Sequence, residues 1–207
     1  MSIRQAMLAI LEQGPMYGYQ LRSEFESRTG ATWPLNIGQV YTTLTRLERD
    51  GLVEVVGHGG ADETDQSESQ TERQVSYRAT EAGRSEVSEW FATPVPRSQP
   101  PRDELAIKLA IAVTLPAVDV GTIIQRQRSA TMASLQDYTR LKRTGRAATP
   151  QEPADLAWSL VLDALVFDAE AEVRWLDHCE ARLRRAAAER EGVRPGASTP
   201  SAEGVTR

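Results

Sequence analysis

The stretch Asn36–Val56, "NIGQVYTTLTRLERDGLVEVV", constrains the fold more than any other part of the chain. Asn36 is a preferred N-cap residue and Gln39 stands three positions on, the spacing of a capping box. Ile37, Val40, Leu44 and Leu47 follow the 3-4-3 spacing of a buried helical stripe. At about 100° per residue, Thr42, Thr45, Arg46 and Arg49 point to the other side, with Gln39 at its edge. Gly51 stops the helix, and "LVEVV" then reads as a strand. The segment is a half-buried helix, delimited at both ends, whose open side carries a particular set of polar groups.

The flanking periodicity supplies the context for that helix. Before it, Ile3, Met7, Ile10 and Leu11 share one helical face that ends at Gly14-Pro15. "YGYQLRSEFESRTG" follows as a second short helix, with Leu21 and Phe25 four apart and Gly30 at its end. After it, "VSYRAT" alternates as a second strand, and Thr80 is placed to cap a fourth helix whose Val87, Trp90 and Phe91 are spaced to meet a core. Between the strands lies "GHGGADETDQSESQTER", too polar and glycine-rich to pack, and read as a mobile hairpin tip. The order helix, helix, helix, strand, strand, helix predicts a winged helix-turn-helix with a two-stranded wing over residues 1–92. "TPVPRSQPP", residues 93–101, is read as a linker, because proline removes backbone donors and disfavours helix before it.

Residues 102–190 are predicted to be all helical, so the fold class is mostly α. In the long amphipathic stretch from Ala117 to Arg146, Val120, Ile124, Met132, Leu135 and Tyr138 are the expected inward positions. A last helix runs to about Arg190, on the order of 50 Å at 1.5 Å per residue. Two such helices cannot cover both apolar faces within one small unit, and a second copy of the chain is the expected cover. Residues 191–207 are glycine, proline and small polar residues, and are expected to be disordered.

Composition narrows the chemistry. Cys179 is the single cysteine, and His58 and His178 are the only histidines, so a cysteine zinc site or a serine–histidine–aspartate site is poorly supplied. No glycine-rich phosphate loop or nucleophile–base pair stands out, so an enzyme, a metal site or a cofactor is not expected. Apolar runs fall short of a membrane span and no leader pattern precedes them, which points to the cytoplasm. The net charge of −5 argues against a generally basic nucleic-acid coat, but local charge placement decides association. Through Ala92 there are eight Lys and Arg against fourteen Asp and Glu, five of those acids at the hairpin tip.

"GPMYGYQL", "GQVYTTLTRLERDGLVEV" and "VSYRATEAGRSEV" together resemble the N-terminal pattern of the PadR family of bacterial transcriptional regulators. The resemblance covers residues 2–92 by motif, and the helices after Pro101 resemble the family's larger branch in size and layout. It implies a homodimeric regulator, usually a repressor, whose C-terminal helices build the dimer and often respond to a small molecule. It also implies that the helix Asn36–Asp50 enters the major groove of operator DNA and that the hairpin reaches the flanking backbone. Two departures stand out: Thr42 occupies a position where the family often has proline, and the wing is long and acidic, a tip that phosphate repels.

A recognition helix needs donors and acceptors for base edges near its first turns and cations further out for phosphates. Gln39 is matched to adenine, and Thr42 and Thr43 to a thymine methyl or base edge. Asn36 and the first-turn amides suit a phosphate. Tyr41 is placed to donate to a backbone oxygen, and Arg46 and Arg49 to neutralise phosphates. Helical spacing excludes an ion pair of Arg49 with adjacent Asp50, whereas Arg46 and Asp50, four apart, can pair. Tyr19 either contacts phosphate or packs as a core aromatic, and Arg73 is the tip's one cation. Trp90, Trp158 and Trp175 are candidates for a pocket taking a small aromatic effector, although tryptophans at helical spacing are more commonly core. The alternative from another class is a winged-helix module for protein–protein docking, with the acidic wing as its tip.

Overall fold

The structure, a computed structural model, describes residues 2–58, 75–96 and 102–192. The acidic hairpin tip with Arg73, the later part of the proline-rich linker and the tail beyond Gly192 lie outside the described residues.

Helix α1, Ser2–Leu11, buries Met7, Leu8, Ile10 and Leu11, while Ile3, expected on the same face, is exposed. Strand β1, Met16–Tyr17, leads directly into α2, Gly18–Thr29, which buries Leu21 and Phe25. Helix α3 is Ile37–Arg49, followed by β2, Val53–His58, and β3, Val75–Ala79. The sheet is three-stranded and antiparallel in the order β1-β3-β2. The wing strands were legible from alternation; β1, two residues pairing Met16 with Tyr77 and Tyr17 with Ser76, is too short to have a period. Helix α4, Glu81–Ala92, completes the layer, with Val87 buried and Gly83 against β2's entry. A Cβ at Gly83 would stand 2.2 Å from the Leu52 carbonyl oxygen, so only glycine allows that approach.

Two further apolar residues of this region fall outside the core that their spacing predicted. Ile37 is 36% exposed because Leu35, just ahead of the N-cap, is buried instead in the same core as Val40. That is the arrangement of a hydrophobic staple, in which the residue before the cap meets the fourth helical residue. Phe91 is 71% exposed: α4 meets the core through Gly83 and Val87, and its last turn leaves the core surface.

The remaining helices are α5, Glu104–Ala112; α6, Val120–Arg143; and α7, Pro153–Gly192, the last about 60 Å long at 1.5 Å per residue. A single 3₁₀ turn, Gly145–Ala147, stands between α6 and α7. The chain divides into two compact units that do not follow sequence order: Met1–Pro101 with Thr139–Ala164, and Arg102–Tyr138 with Leu165–Arg207. Within the first, the Trp158 ring lies against Gly30, where a Cβ would stand 2.1 Å from it, and Arg146 Nη2 donates to the Ser27 carbonyl at 2.6 Å.

The second unit has a small core of Leu109, Ile124 and Leu176. Its α6 turns Thr131 inward and leaves Met132 exposed, the reverse of the expectation. The inward stripe runs Val120, Ile124, Thr131, Leu135, Tyr138, and Met132 lies about 100° from Thr131 around the axis. Burial of the Thr131 hydroxyl is tolerated because its one hydrogen has two acceptors in reach, the Glu172 carboxylate and the Gln127 carbonyl. Arg128 joins Glu180 at 2.6 Å and Asp177 at 2.7 Å between α6 and α7. Among the described residues no helix is long and apolar enough to cross a membrane.

Candidate nucleic-acid interface

Helix α3 is held at both ends and along one side. At its start the Asn36 Oδ1 accepts from the Gly38 amide at 2.8 Å, and the Asn36 amide donates to Gln39 Oε1 at 3.3 Å, closing the capping box. At its end Asp50 departs from helical geometry with ψ 0, and Gly51 adopts φ +73. The Leu52 amide then donates to the Leu47 carbonyl and the Gly51 amide to the Glu48 carbonyl, each at 2.9 Å, the paired bonds of a Schellman motif. Thr80 fastens this end to α4: its hydroxyl donates to the Gly51 carbonyl at 2.8 Å and accepts from the Gly83 amide at 3.1 Å. Val40, Leu44 and Leu47 are buried along the inner side. Tyr41 is half-buried, its ring so close to Gly18 that a Cβ there would stand 2.8 Å away, which explains a glycine at the first position of α2.

The outer side presents Asn36, Ile37, Gly38, Gln39, Thr42, Thr45, Arg46 and Arg49 to solvent, with Thr43 half-buried. Asn36, Gln39, Thr42, Thr43 and Arg46, together with Arg4 of α1, line a groove of about 550 Å³ between α1 and the start of α3. The Arg46 side chain makes no hydrogen bond or ion pair among the described residues, so its charge is available. Arg49 differs from the sequence expectation. It donates from Nε and Nη2 to Asp50 Oδ1 at 3.2 and 3.1 Å, because Asp50 sits at the cap rather than in the helix and is freed from helical side-chain directions. Arg4 also reaches Asp50, at 3.4 Å, and joins Glu86 of α4. Arg49 first and Arg4 second hold the Asp50 carboxyl below its ordinary pKa.

The other expected residues divide between the two units. Tyr19 is 68% exposed on α2, not a core aromatic. Trp90 is half-buried with its ring 4.8 Å from that of Phe91, and Trp158 is packed on Gly30. In the second unit Trp175 lines a cavity of about 450 Å³ with Leu109, Val120, Ile124, Cys179 and Leu183, and with Arg182 as its cation. The lining of that cavity includes neither Trp90 nor Trp158. Ile37 and Gly38 went unmarked in the sequence as members of the open face; the buried Leu35 ahead of the cap is the signal that turns Ile37 outward.

Comparison with known proteins places this geometry. Residues 7–89 match the Transcriptional regulator PadR-like family, and residues 101–184 match the family described as Virulence activator alpha C-term. The chain is 26% identical over 197 residues to the probable transcriptional regulator Rv1176c of Mycobacterium tuberculosis, covering 89% of this chain and 98% of that one. It is 23% identical over 179 residues to the negative transcriptional regulator PadR of Bacillus subtilis, covering 84% of this chain and 93% of that one. The crystal structure of Bacillus subtilis PadR with operator DNA shares the fold at a TM-score of 0.64 and 21% identity, over 88% of this chain and 99% of that one. The same protein with p-coumaric acid gives 0.65 and 20%, over 89% and 99%. A winged helix with a braced, open-faced third helix is accounted for by one assignment: residues 7–89 form a domain of the PadR-like family of transcriptional regulators.

Proposed function

We propose that the protein is a homodimeric repressor that binds operator DNA through α3 and is released by a small aromatic effector. The observation that carries this reading is the outer side of α3, a solvent-facing set of Asn36, Gln39, Thr42, Thr45 and unpaired Arg46 on a helix braced at both ends. In this reading Gln39 and Thr42 meet base edges, with Thr43 beside them. Asn36, Tyr41 and Tyr19 meet the sugar-phosphate backbone, and Arg46 neutralises a phosphate. Arg49 contributes only by leaving Asp50, and Arg73 is the one cation of the acidic tip.

The dimer is supported by the second unit, where Ile107 and Ile111 of α5 are 52% and 57% exposed beside exposed Val113 and Leu115. An apolar surface of that kind, continuous along one helix and its exit, marks an interface. Two copies would set their α3 helices about one helical turn of DNA apart, ~34 Å. Release would follow if an effector bound better to a spacing that does not fit the operator. The cavity at Trp175 is the candidate effector site, and Bacillus subtilis PadR, crystallised with p-coumaric acid, sets the precedent. Such a regulator works in the cytoplasm.

Few cations face the duplex, so log K should fall with log salt less steeply than for a basic repressor. The decisive measurement is a gel shift with fragments upstream of the protein's own and adjacent genes, comparing wild type with a Thr42→Ala/Arg46→Ala double variant. The expected outcome is a retarded band lost in the double variant at unchanged thermal stability. An equal shift by both proteins removes α3 as the reader of DNA.

A further inference from the structure

Resting on α3 as the duplex-reading helix, the chemistry of its open face can be taken one step further. The hydroxyl of Thr42 donates to the Gly38 carbonyl at 2.8 Å, that of Thr43 to the Gln39 carbonyl at 2.7 Å, and that of Thr45 to the Tyr41 carbonyl at 3.0 Å. Each threonine has one hydroxyl hydrogen, and here it is bound within the helix. Gln39 Oε1 and Asn36 Oδ1 are likewise engaged in the capping box. Bidentate pairing of Gln39 with adenine needs that oxygen, so base reading by hydrogen bonds competes with the cap that starts the helix.

Apart from the Arg46 guanidinium and the side-chain amide nitrogens of Gln39 and Asn36, the groups left unengaged on this face are apolar. Bonding back along the helix leaves each threonine's γ-methyl as its uncommitted substituent. Ile37 is exposed at the first helical position because Leu35 has taken its place in the core. Between Ile37 and Thr42 lies Gly38, where a Cβ would meet nothing closer than Asn36 Oδ1 at 3.4 Å. The fold therefore does not require glycine there, and alanine would favour the helix. A missing side chain at that point lowers the wall between Ile37 and the Thr42 methyl and admits a flat edge from outside.

The major groove presents one apolar group, the 5-methyl of thymine. We infer that the first two turns of α3 select operator sequence by packing Ile37 and the γ-methyl of Thr42 on thymine 5-methyl groups, over the gap at Gly38. Hydrogen bonds to bases are secondary to this methyl contact, and Arg46 supplies position without sequence.

The test removes methyl groups from each side in turn. The full-length protein first selects its preferred duplex from a random-sequence pool, and that duplex is resynthesised with uracil replacing thymine throughout. Wild type should bind the uracil duplex about tenfold or more weakly, each lost methyl contributing about fourfold, the factor corresponding to ~0.8 kcal/mol for a buried methylene. Thr42→Ser keeps the hydroxyl that bonds to Gly38 and removes only the methyl; Ile37→Ala removes exposed surface without entering the core. Each should shrink the thymine-to-uracil affinity ratio by about fourfold. Equal wild-type affinity for both duplexes overturns the inference, as does a ratio unchanged in both variants, which would trace uracil sensitivity to duplex stiffness. If no duplex is selected at all, the DNA-reading role of α3 fails and the methyl inference falls with it.

Discussion

In the first compact unit Leu8, Leu11, Leu44 and Leu47 reach zero exposure, and residues from α1, α2, α3, both wing strands and α4 converge on one core. In the second, the buried cluster is Leu109, Ile124 and Leu176, and α5 keeps Ile107 and Ile111 more than half exposed. The contrast is between a unit organised on one large shared core and one whose buried cluster is small. A self-sufficient core suits a part whose geometry must be fixed before a ligand arrives, as a helix presented to DNA requires. An apolar surface left open suits a part completed by another chain.

The largest expected effect strikes the first unit alone. Leu44→Ala, at zero exposure beneath α3, should lower unfolding free energy by about 2–5 kcal/mol in a denaturant titration, and DNA retention should fall with it. A loss below about 1 kcal/mol would show that this core collapses around the cavity and is less close-packed than its burial implies.

Next in size is a change confined to the second unit. If the proposed dimer forms through this surface, Ile111→Asp, on the exposed side of α5, should leave secondary structure in place and give a monomer in sedimentation velocity where wild type gives a dimer, with operator affinity down at least tenfold. A variant that still sediments as a dimer would place the interface elsewhere and break the comparison at its open half.

Removing one cap should do less. Thr80→Ala takes away both the N-cap of α4 and the tie to Gly51, and should destabilise the first unit by about 1 kcal/mol. The loss should register in thermal melts without changing the oligomeric state. A dimer disturbed by this variant would mean that the two units are not energetically separate.

Acid should have the smallest effect and should touch both units. Arg22 lowers the Glu26 pKa and Arg49 that of Asp50 in the first unit, while Arg128 lowers that of Glu180 in the second. Each acid binds its proton less readily folded than unfolded, so its contribution is present above the ordinary carboxylate range. It is lost as pH falls through the lowered folded value. Melting temperature should therefore fall progressively below about pH 4. Glu180→Gln should flatten that dependence for the second unit alone, and an unaltered pH profile would remove the Arg128 network as its cause.

What could be read along the chain and what could not differ in range. The start of α3 at Asn36, its end at Gly51, the Thr80 cap and the wing strands were legible because each depends on residues within a few positions. The outward turn of Ile37 was not, since it depends on Leu35 winning a core position that either residue could fill. The Arg49–Asp50 pair escaped a spacing argument that assumes helical directions up to a residue which has already left the helix. For the site, the polar members of the open face were readable from angle alone. Which of their hydrogen-bonding groups remain free was not, because that depends on rotamers.

Sequence alone determined the winged-helix order, the amphipathic α3 and the family, since periodicity, capping residues and turn glycines act locally and persist in any arrangement of the chain. Tertiary structure alone decided that residues 139–164 pack with the first unit, that Trp158 lies over Gly30, and that Ile37 stands outside the core. Those outcomes come from competition among distant segments for the same buried volume. A close-packed interior holds one occupant per site, and no local pattern records which candidate fills it.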